Sequence, residues 1–323
     1  MKHNLTVVAA ICIFVVVGIF TFIGRPDNDE LEDNSSSQFL DYKLITTNKT
    51  VSAPNAEMMA MIQDNILDTQ NNVLLTAVAN SGMANYTLNW IESLKRCDID
   101  KFLVFAIDSE LVDILYAAGY ERNVVAIPDD WFHVPVKNTL ISWGNMHDYL
   151  PVTASKSLVV EHLLYLDITV WFSDVDLVFL SPHIYTYLLH KFMIRPATEA
   201  LFQQRGIKDK NDINSGFFIM KPTPLMKHII SESIKVQDED NAKYKKSKLT
   251  QQRAINRVIE SLNIDFYTSP IVLLEMELFP VGNVYYDMNI PMKYGFNPLM
   301  VHGNFRDGEK KEVALRKAGL WYI

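Results

Sequence analysis

Two carboxylates set in an apolar run are the first residues with chemical promise. Asp174-Val175-Asp176 is preceded by VWFS and followed by LVFL. The Asp-x-Asp spacing alone says little, because Asp27/Asp29, Asp98/Asp100 and Asp238/Asp240 repeat it in polar surroundings that suit solvated surface. The pair at 174 and 176 has no such outlet. Burying an unpaired carboxylate costs several kcal/mol, so these two must be paired, neutral or bound to a cation. Read as one strand, the run puts both on the same face with α-carbons about 6.6–7 Å apart, close enough to share one divalent ion. Hard oxygen ligands suit Mg²⁺ or Mn²⁺ better than zinc. A carboxylate pair tied to nearby Lys or Arg satisfies the same physics, and both readings stand at this level.

The elements that would carry this pair follow from hydrophobic periodicity. Val73–Ala79 (VLLTAVA) is a continuous apolar run, the form of a strand buried on both faces. Tyr86, Trp90, Ile91 and Leu94 then recur at helical spacing. Lys101–Asp108 and Val124–Pro128 read as further strands, with a helix to Ala118 between them. Residues 129–152 read as a long aromatic loop, in which Trp131, Phe132 and Trp143 either stack on a ligand or fill core. Ser155–Leu166 is helical and Val170–Leu180 is read as one strand. Beyond these come strands near 200–203 and 215–220, helices at 224–234 and 250–262, and a run of short strands. Strands alternating with helices predict an α/β sheet with covered faces.

Composition narrows the function. The chain has 323 residues, a soft prior of about two domains, with 49% hydrophobic and 21% charged residues. That excludes a wholly disordered, collagenous or coiled-coil chain. Acidic residues outnumber basic ones 38 to 30, so nothing suggests a nucleic-acid partner. Two cysteines are too few for a disulfide framework or a structural zinc site. The 12 glycines are scattered, leaving no phosphate-cradling loop signature.

The N-terminus predicts a compartment. Leu5–Ile23 is uncharged and, at 1.5 Å per residue, spans roughly 28 Å, about a bilayer's hydrocarbon core. Lys2 precedes it and an acidic stretch follows, so the positive-inside rule places residues 1–4 in the cytosol. The expectation is a type II signal anchor at 5–23, a flexible lumenal stem at 24–70 and a folded domain at 71–323. Cys12 falls inside the anchor, leaving Cys97 as a lone lumenal thiol, either buried or paired between chains. Sequons at Asn34, Asn48 and Asn85 fit a secretory route as N-glycosylation sites.

From about residue 72 to 323 the chain resembles the nucleotide-diphospho-sugar transferase domain of glycosyltransferase family 77, on six motifs in order. VLLTAVAN runs into NYTLNWIESLKR, the next strand ends at Asp108, and Lys156 opens the helix before SDVDLVFL. Asn214-Ser215-Gly216-Phe217 resembles the family's Asn-Ser/Thr-Gly-Phe; His302-Gly303-Asn304 leads through Gly308 to Lys311, and Gly319-Leu320-Trp321 follows. The resemblance implies a GT-A fold, a Rossmann-like α/β sheet holding a nucleotide sugar at its strand ends, behind an N-terminal transmembrane helix. It implies that Asp174 and Asp176 hold Mn²⁺ or Mg²⁺ against the donor's diphosphate, with His302 as third ligand. Lys311 and Lys156 would neutralise the diphosphate, while Ala77 and Asn80 would touch the nucleoside, chiefly by backbone. Asn214 and Gly216 would shape the sugar pocket, and Asp108 would be a pocket acid or simply end its strand. The family is described as retaining, so the resemblance implies transfer from a nucleotide donor, UDP expected, to a glycan or glycoprotein in the Golgi.

One departure matters. Where family members commonly carry Asp-Gln before an Asn-containing helix, this chain reads Gln251-Gln252-Arg253-Ala254-Ile255-Asn256. Gln251 keeps hydrogen-bonding capacity but brings no negative charge, which bears on donor choice and rate. A weakened relative that binds a nucleotide sugar or glycan without turnover is the alternative this implies.

Overall fold

A computed structural model describes residues 49–134, 136, 146–244, 249–267, 270–306 and 308–323. The expected anchor, Asn34, Asn48 and Trp143 lie outside these residues. Among the described residues, no helix is long and apolar enough to cross a membrane.

In chain order the first elements are helix α1 (Ala56–Asp64), strands β1 (Ile66–Asp68) and β2 (Val73–Ala79), helix α2 (Ala84–Arg96), β3 (Leu103–Ala106), α3 (Ser109–Ala117) and β4 (Val124–Ala126). They are followed by α4 (Met146–Tyr165), β5 (Thr169–Ser173), β6 (Leu177–Phe179), α5 (Ile184–Ile194), β7 (Ala200–Gly206) and β8 (Asp209–Met220). The remainder comprises α6 (Pro224–Lys243), α7 (Gln251–Ser261), β9 (Ile271–Leu274), α8 (Ile290–Tyr294), β10 (Met300–His302) and α9 (Glu309–Lys317).

The main sheet runs β4-β3-β2-β5-β8-β7-β9, with β1 added antiparallel to β2. Neighbouring pairs from β4 to β5 are parallel, and β8 is antiparallel to both β5 and β7. Strand order reverses between β2 and β5. In open α/β sheets, the crevice beyond the strand ends at such a reversal is where ligands bind. All seven residues of β2 are buried, as a strand covered on both faces requires. On α2, Trp90, Ile91 and Leu94 of the expected stripe are buried, as is Thr87, while Tyr86 is only half-buried. Trp90 is fully buried, and its indole N–H donates to Ser173 Oγ at 2.9 Å, at the end of β5. That bond ties α2 to the strand leading into Asp174.

Three expectations change. The stem was expected to run flexible to residue 70, but order begins earlier. Asn55 caps α1, Met58 and Ile62 are buried, and Lys49 pairs at 2.6 Å with the buried Glu161 of α4. With only two strongly buried positions in nine residues, α1 leaves a periodic signal too short to read. The long loop ends at 146, where α4 begins and continues through Pro151. The helix was expected only from Ser155, where the apolar spacing becomes regular, so its first turns fall in the stretch read as loop. Third, Val170–Leu180 is two strands, β5 in the main sheet and β6 paired antiparallel with β10 in a second sheet.

Cys97 is buried, the first of the two fates expected of it. Burial, with Asp98 beside it, pushes its thiol up to about 11, far from reactive at neutral pH.

Candidate active site

Because β5 and β6 belong to different sheets, Asp174–Asp176 is the turn between them rather than part of one strand. The strand-face argument for the pair therefore fails, yet both side chains still converge. The antiparallel register sets His302 of β10 opposite Leu177, the residue after Asp176. His302 and Asp176 are thus brought together by backbone pairing. The loop after the histidine is fixed as well, with Gly303 N–H donating to Asp176 O at 2.8 Å.

Each carboxylate divides its oxygens between two tasks. Asp174 Oδ1 accepts from the Lys156 ammonium, and Asp176 Oδ2 accepts from Lys311 Nζ at 2.6 Å. The remaining oxygens face His302 Nε2, Asp176 Oδ1 at 3.2 Å and Asp174 Oδ2 at 4.0 Å. Among the described residues, these three form the group of ligand-type side chains, one atom from each within 4.8 Å of the others. The two sequence readings of the pair, lysine partners or metal ligands, are therefore compatible: lysines hold the outer oxygens and the inner ones converge on an imidazole.

Hydrogen bonds settle which nitrogen faces the carboxylates with its lone pair. Gln203 is fully buried in β7, and its Nε2 donates to Phe279 O at 3.0 Å. Its Oε1 must then face His302 Nδ1, 2.8 Å away, and an amide oxygen can only accept. Nδ1 therefore carries the proton, although Asn304 Nδ2 also stands 3.2 Å from it. In the neutral ring, Nε2 points its lone pair at two carboxylate oxygens, which is repulsive until a cation lies among them. This is the donor set and orienting second hydrogen bond of a metal-binding histidine. The residues fit a divalent ion. Burial opposes ionisation of Asp176, but the charge of Lys311 and its hydrogen bond hold the carboxyl well below the usual carboxylate range. Asp176 is thus ionised and ready to ligate at neutral pH.

Gly216, which the resemblance sets at the sugar pocket, packs directly against the cluster. An added Cβ would lie 2.6 Å from Asp174 Oδ2 and 2.6 Å from His302 Cε1. The glycine makes room for the ligand cluster itself. Its carbonyl accepts from Asp174 N at 2.7 Å, so β8 also fixes the first aspartate. Asn214 Oδ1 accepts from Gly216 N at 2.8 Å, which commits that oxygen to the turn. From α7, Gln252 Oε1 accepts from Ser215 N at 3.2 Å, and Asn256 bonds both N and O of Ile213. Gln251, the first residue of α7 behind the Thr250 cap, is buried.

At the other side of the crevice the expected nucleoside contacts diverge. Asn80 ends β2 and is buried. The Ala77 side chain is fully buried in the core, paired opposite Val104, so it does not face the crevice. Asp108 accepts from Ser81 N at 3.0 Å and Leu111 N at 2.8 Å, joining the ends of β2 and β3 and capping α3. Its carboxylate is spent on the scaffold. Trp131 is buried with its ring 3.7 Å from that of His162, which makes it core. Asn85 is exposed on the first turn of α2.

Gln203, Gln252 and Asn256 were missed as site-building residues. Gln203 had one signal, an amide inside the apolar run ALFQQ, which burial obliges to find partners.

A strand-order reversal in an α/β sheet, with two carboxylates and one oriented imidazole brought together just beyond β5, marks the class: an α/β protein with a candidate metal site at its strand ends. The chain belongs to the nucleotide-diphospho-sugar transferase family, which its residues 97–315 match. By that membership it is a chain of a sugar-transferase family, and its fold is mixed α/β. It is similar to arabinosyltransferase XEG113 of Arabidopsis thaliana, 21% identical over 270 residues that cover 78% of this chain and 40% of that protein. The chain thus spans less than half of that relative's length. Similar solved structures include galactosyltransferase LgtC with donor and acceptor sugar analogues, at TM-score 0.48 and 15% identity over 76% of this chain and 94% of that one. Mouse xyloside xylosyltransferase 1 has TM-score 0.42 and 9% identity over 72% of this chain and 97% of that one.

Proposed function

We propose that this chain is a metal-dependent retaining glycosyltransferase that moves a sugar from a nucleotide donor, UDP the expected nucleotide, to a glycan or glycoprotein acceptor. The observation that carries the reading is the convergence of Asp174, Asp176 and His302 at the switch-point crevice. Asp174, Asp176 and His302 would hold Mn²⁺ or Mg²⁺, which when bound neutralises charge on a diphosphate leaving group. Lys311 and Lys156 hold the outer carboxylate oxygens and are the cations placed to meet phosphate oxygens as negative charge grows on them. Asn214 and Gly216 shape the wall beside the cluster, and Asn80 stands at the nucleoside end. Gln251 is a neutral group where the family commonly has an acid, which favours slow turnover or an altered donor choice. We further place the chain in the Golgi membrane as a single-pass type II protein, anchored by residues 5–23 with the folded domain lumenal; Asn34, Asn48 and Asn85 would carry glycans.

The test is acceptor-dependent release of UDP from a panel of UDP-sugars, with and without Mn²⁺, using the wild-type chain and Asp174→Ala. Release that needs both acceptor and metal, and falls at least about a hundredfold in the variant, is expected. Donor binding without transfer to any acceptor tried would point instead to the weakened relative that Gln251 suggests.

A further inference from the structure

We infer that Tyr86 is a positioning residue for Lys311, itself braced by residues 320–322; this rests on reading Lys311 as a diphosphate ligand. A lysine on a four-carbon stem has many rotamers, so something must confine an ammonium that serves a defined anion. On one side the Lys311 stem passes Gly303, where a Cβ would come 3.4 Å from Lys311 Cγ. On the other, its Nζ lies 5.7 Å from the centroid of the Tyr86 ring, within range of a cation–π attraction. The Tyr86 hydroxyl donates to Gly308 O at 3.3 Å, at the residue that precedes α9. One side chain of α2 therefore touches both the ammonium and the start of the helix that carries it.

Tyr86 is braced in turn. Its ring meets Trp321 edge-on, with centroids 5.3 Å apart and planes at 88°. Trp321 lies between two backbone groups held by one buried side chain: Asn89 Nδ2 donates to Leu320 O at 3.0 Å, and Asn89 Oδ1 accepts from Tyr322 N at 2.6 Å. Arg316 covers the Trp321 ring at 5.0 Å. Tyr86 and Asn89 stand three residues apart on α2, on neighbouring positions of one face. The contacts run without a gap from Asn89 through residues 320–322 and Tyr86 to Lys311 and Asp176. The Gly-Leu-Trp motif thereby gains a role: it sets the wall against which the phosphate-facing lysine rests.

The test is Mn²⁺-dependent binding of UDP and of UMP, which lacks the β-phosphate, to the full chain and its variants, with melting temperatures recorded alongside. Tyr86→Leu is expected to weaken UDP about tenfold while moving UMP less than about threefold. Tyr86→Phe, which keeps the ring, is expected to stay within about threefold of wild type for UDP. Trp321→Leu leaves Tyr86 in place and is expected to show the same UDP-selective loss in smaller size, which keeps the idea testable should Tyr86→Leu not fold. The inference is overturned if these variants bind UDP as wild type does, or if UDP and UMP weaken equally alongside a lower melting temperature. A wild-type chain that binds no nucleoside diphosphate removes the proposed function and this inference with it, a result distinct from wild-type binding that the variants leave unchanged.

Discussion

At the scale of residues, the site works by dividing each carboxylate. One oxygen of each aspartate satisfies a lysine, and the other is left facing an imidazole whose proton is committed elsewhere. Such a cluster tolerates no added volume. Gly216→Ala would set a methyl group within 2.6 Å of both Asp174 Oδ2 and His302 Cε1. One partner must shift, at a cost of about 1–3 kcal/mol. The expected outcome is a cooperative fold with a lower melting temperature and metal affinity reduced at least about tenfold, read by circular dichroism and by Mn²⁺ titration. The ligand trio was legible in the sequence because Asp174/Asp176 and His302 are chemically distinctive and stand in motif order. Asp108 takes the second of its two readings, a strand-end role, because a position near a strand end does not say whether a neighbour such as Ser81 already uses the side chain.

Among elements, several strands of the main sheet were readable from apolar runs: β2 falls where it was expected, and β3 and β4 within their expected runs, whereas β1 lies in the stretch read as stem. What was not readable is sheet membership. VWFS and LVFL are equally apolar, so periodicity could not show that the chain leaves one sheet at Asp174 and joins another at Leu177. That switch makes the site, because it leaves both aspartates in the connecting turn and hands β6 to the strand carrying His302. Helix α4 begins before its regular apolar spacing does, so Lys156, expected to open the helix, stands in mid-helix. Helix α4 also links two regions: Lys156 reaches the aspartates, while Glu161 and His162 meet the segment before α1. Lys49 donates to Glu161, which is 2% exposed and also accepts from Ser231 Oγ at 2.5 Å. Removing residues 49–68 would strip a buried carboxylate of its charged partner and uncover the surface beneath Met58 and Ile62. A fragment beginning at residue 71 is therefore expected to be several kcal/mol less stable than one beginning at residue 43, measured by urea unfolding of the two side by side. Equal stability would show that the segment merely lies against the domain.

For the whole molecule, an acidic chain, formally −8, sets Lys156 and Lys311 together at its aspartate pair. Lys156 and Lys311 neutralise the two aspartates, so a divalent ion would leave the cluster with surplus positive charge for a diphosphate. This balance is why the site should bind nucleotide poorly without metal. The most direct test is calorimetric titration of the chain with UDP, with and without Mn²⁺, repeated on Asp176→Ala. The account predicts UDP binding that requires Mn²⁺ and disappears in the variant while the fold persists. A folded wild-type chain that binds none of UDP, GDP or CDP in the presence of Mn²⁺ would contradict it.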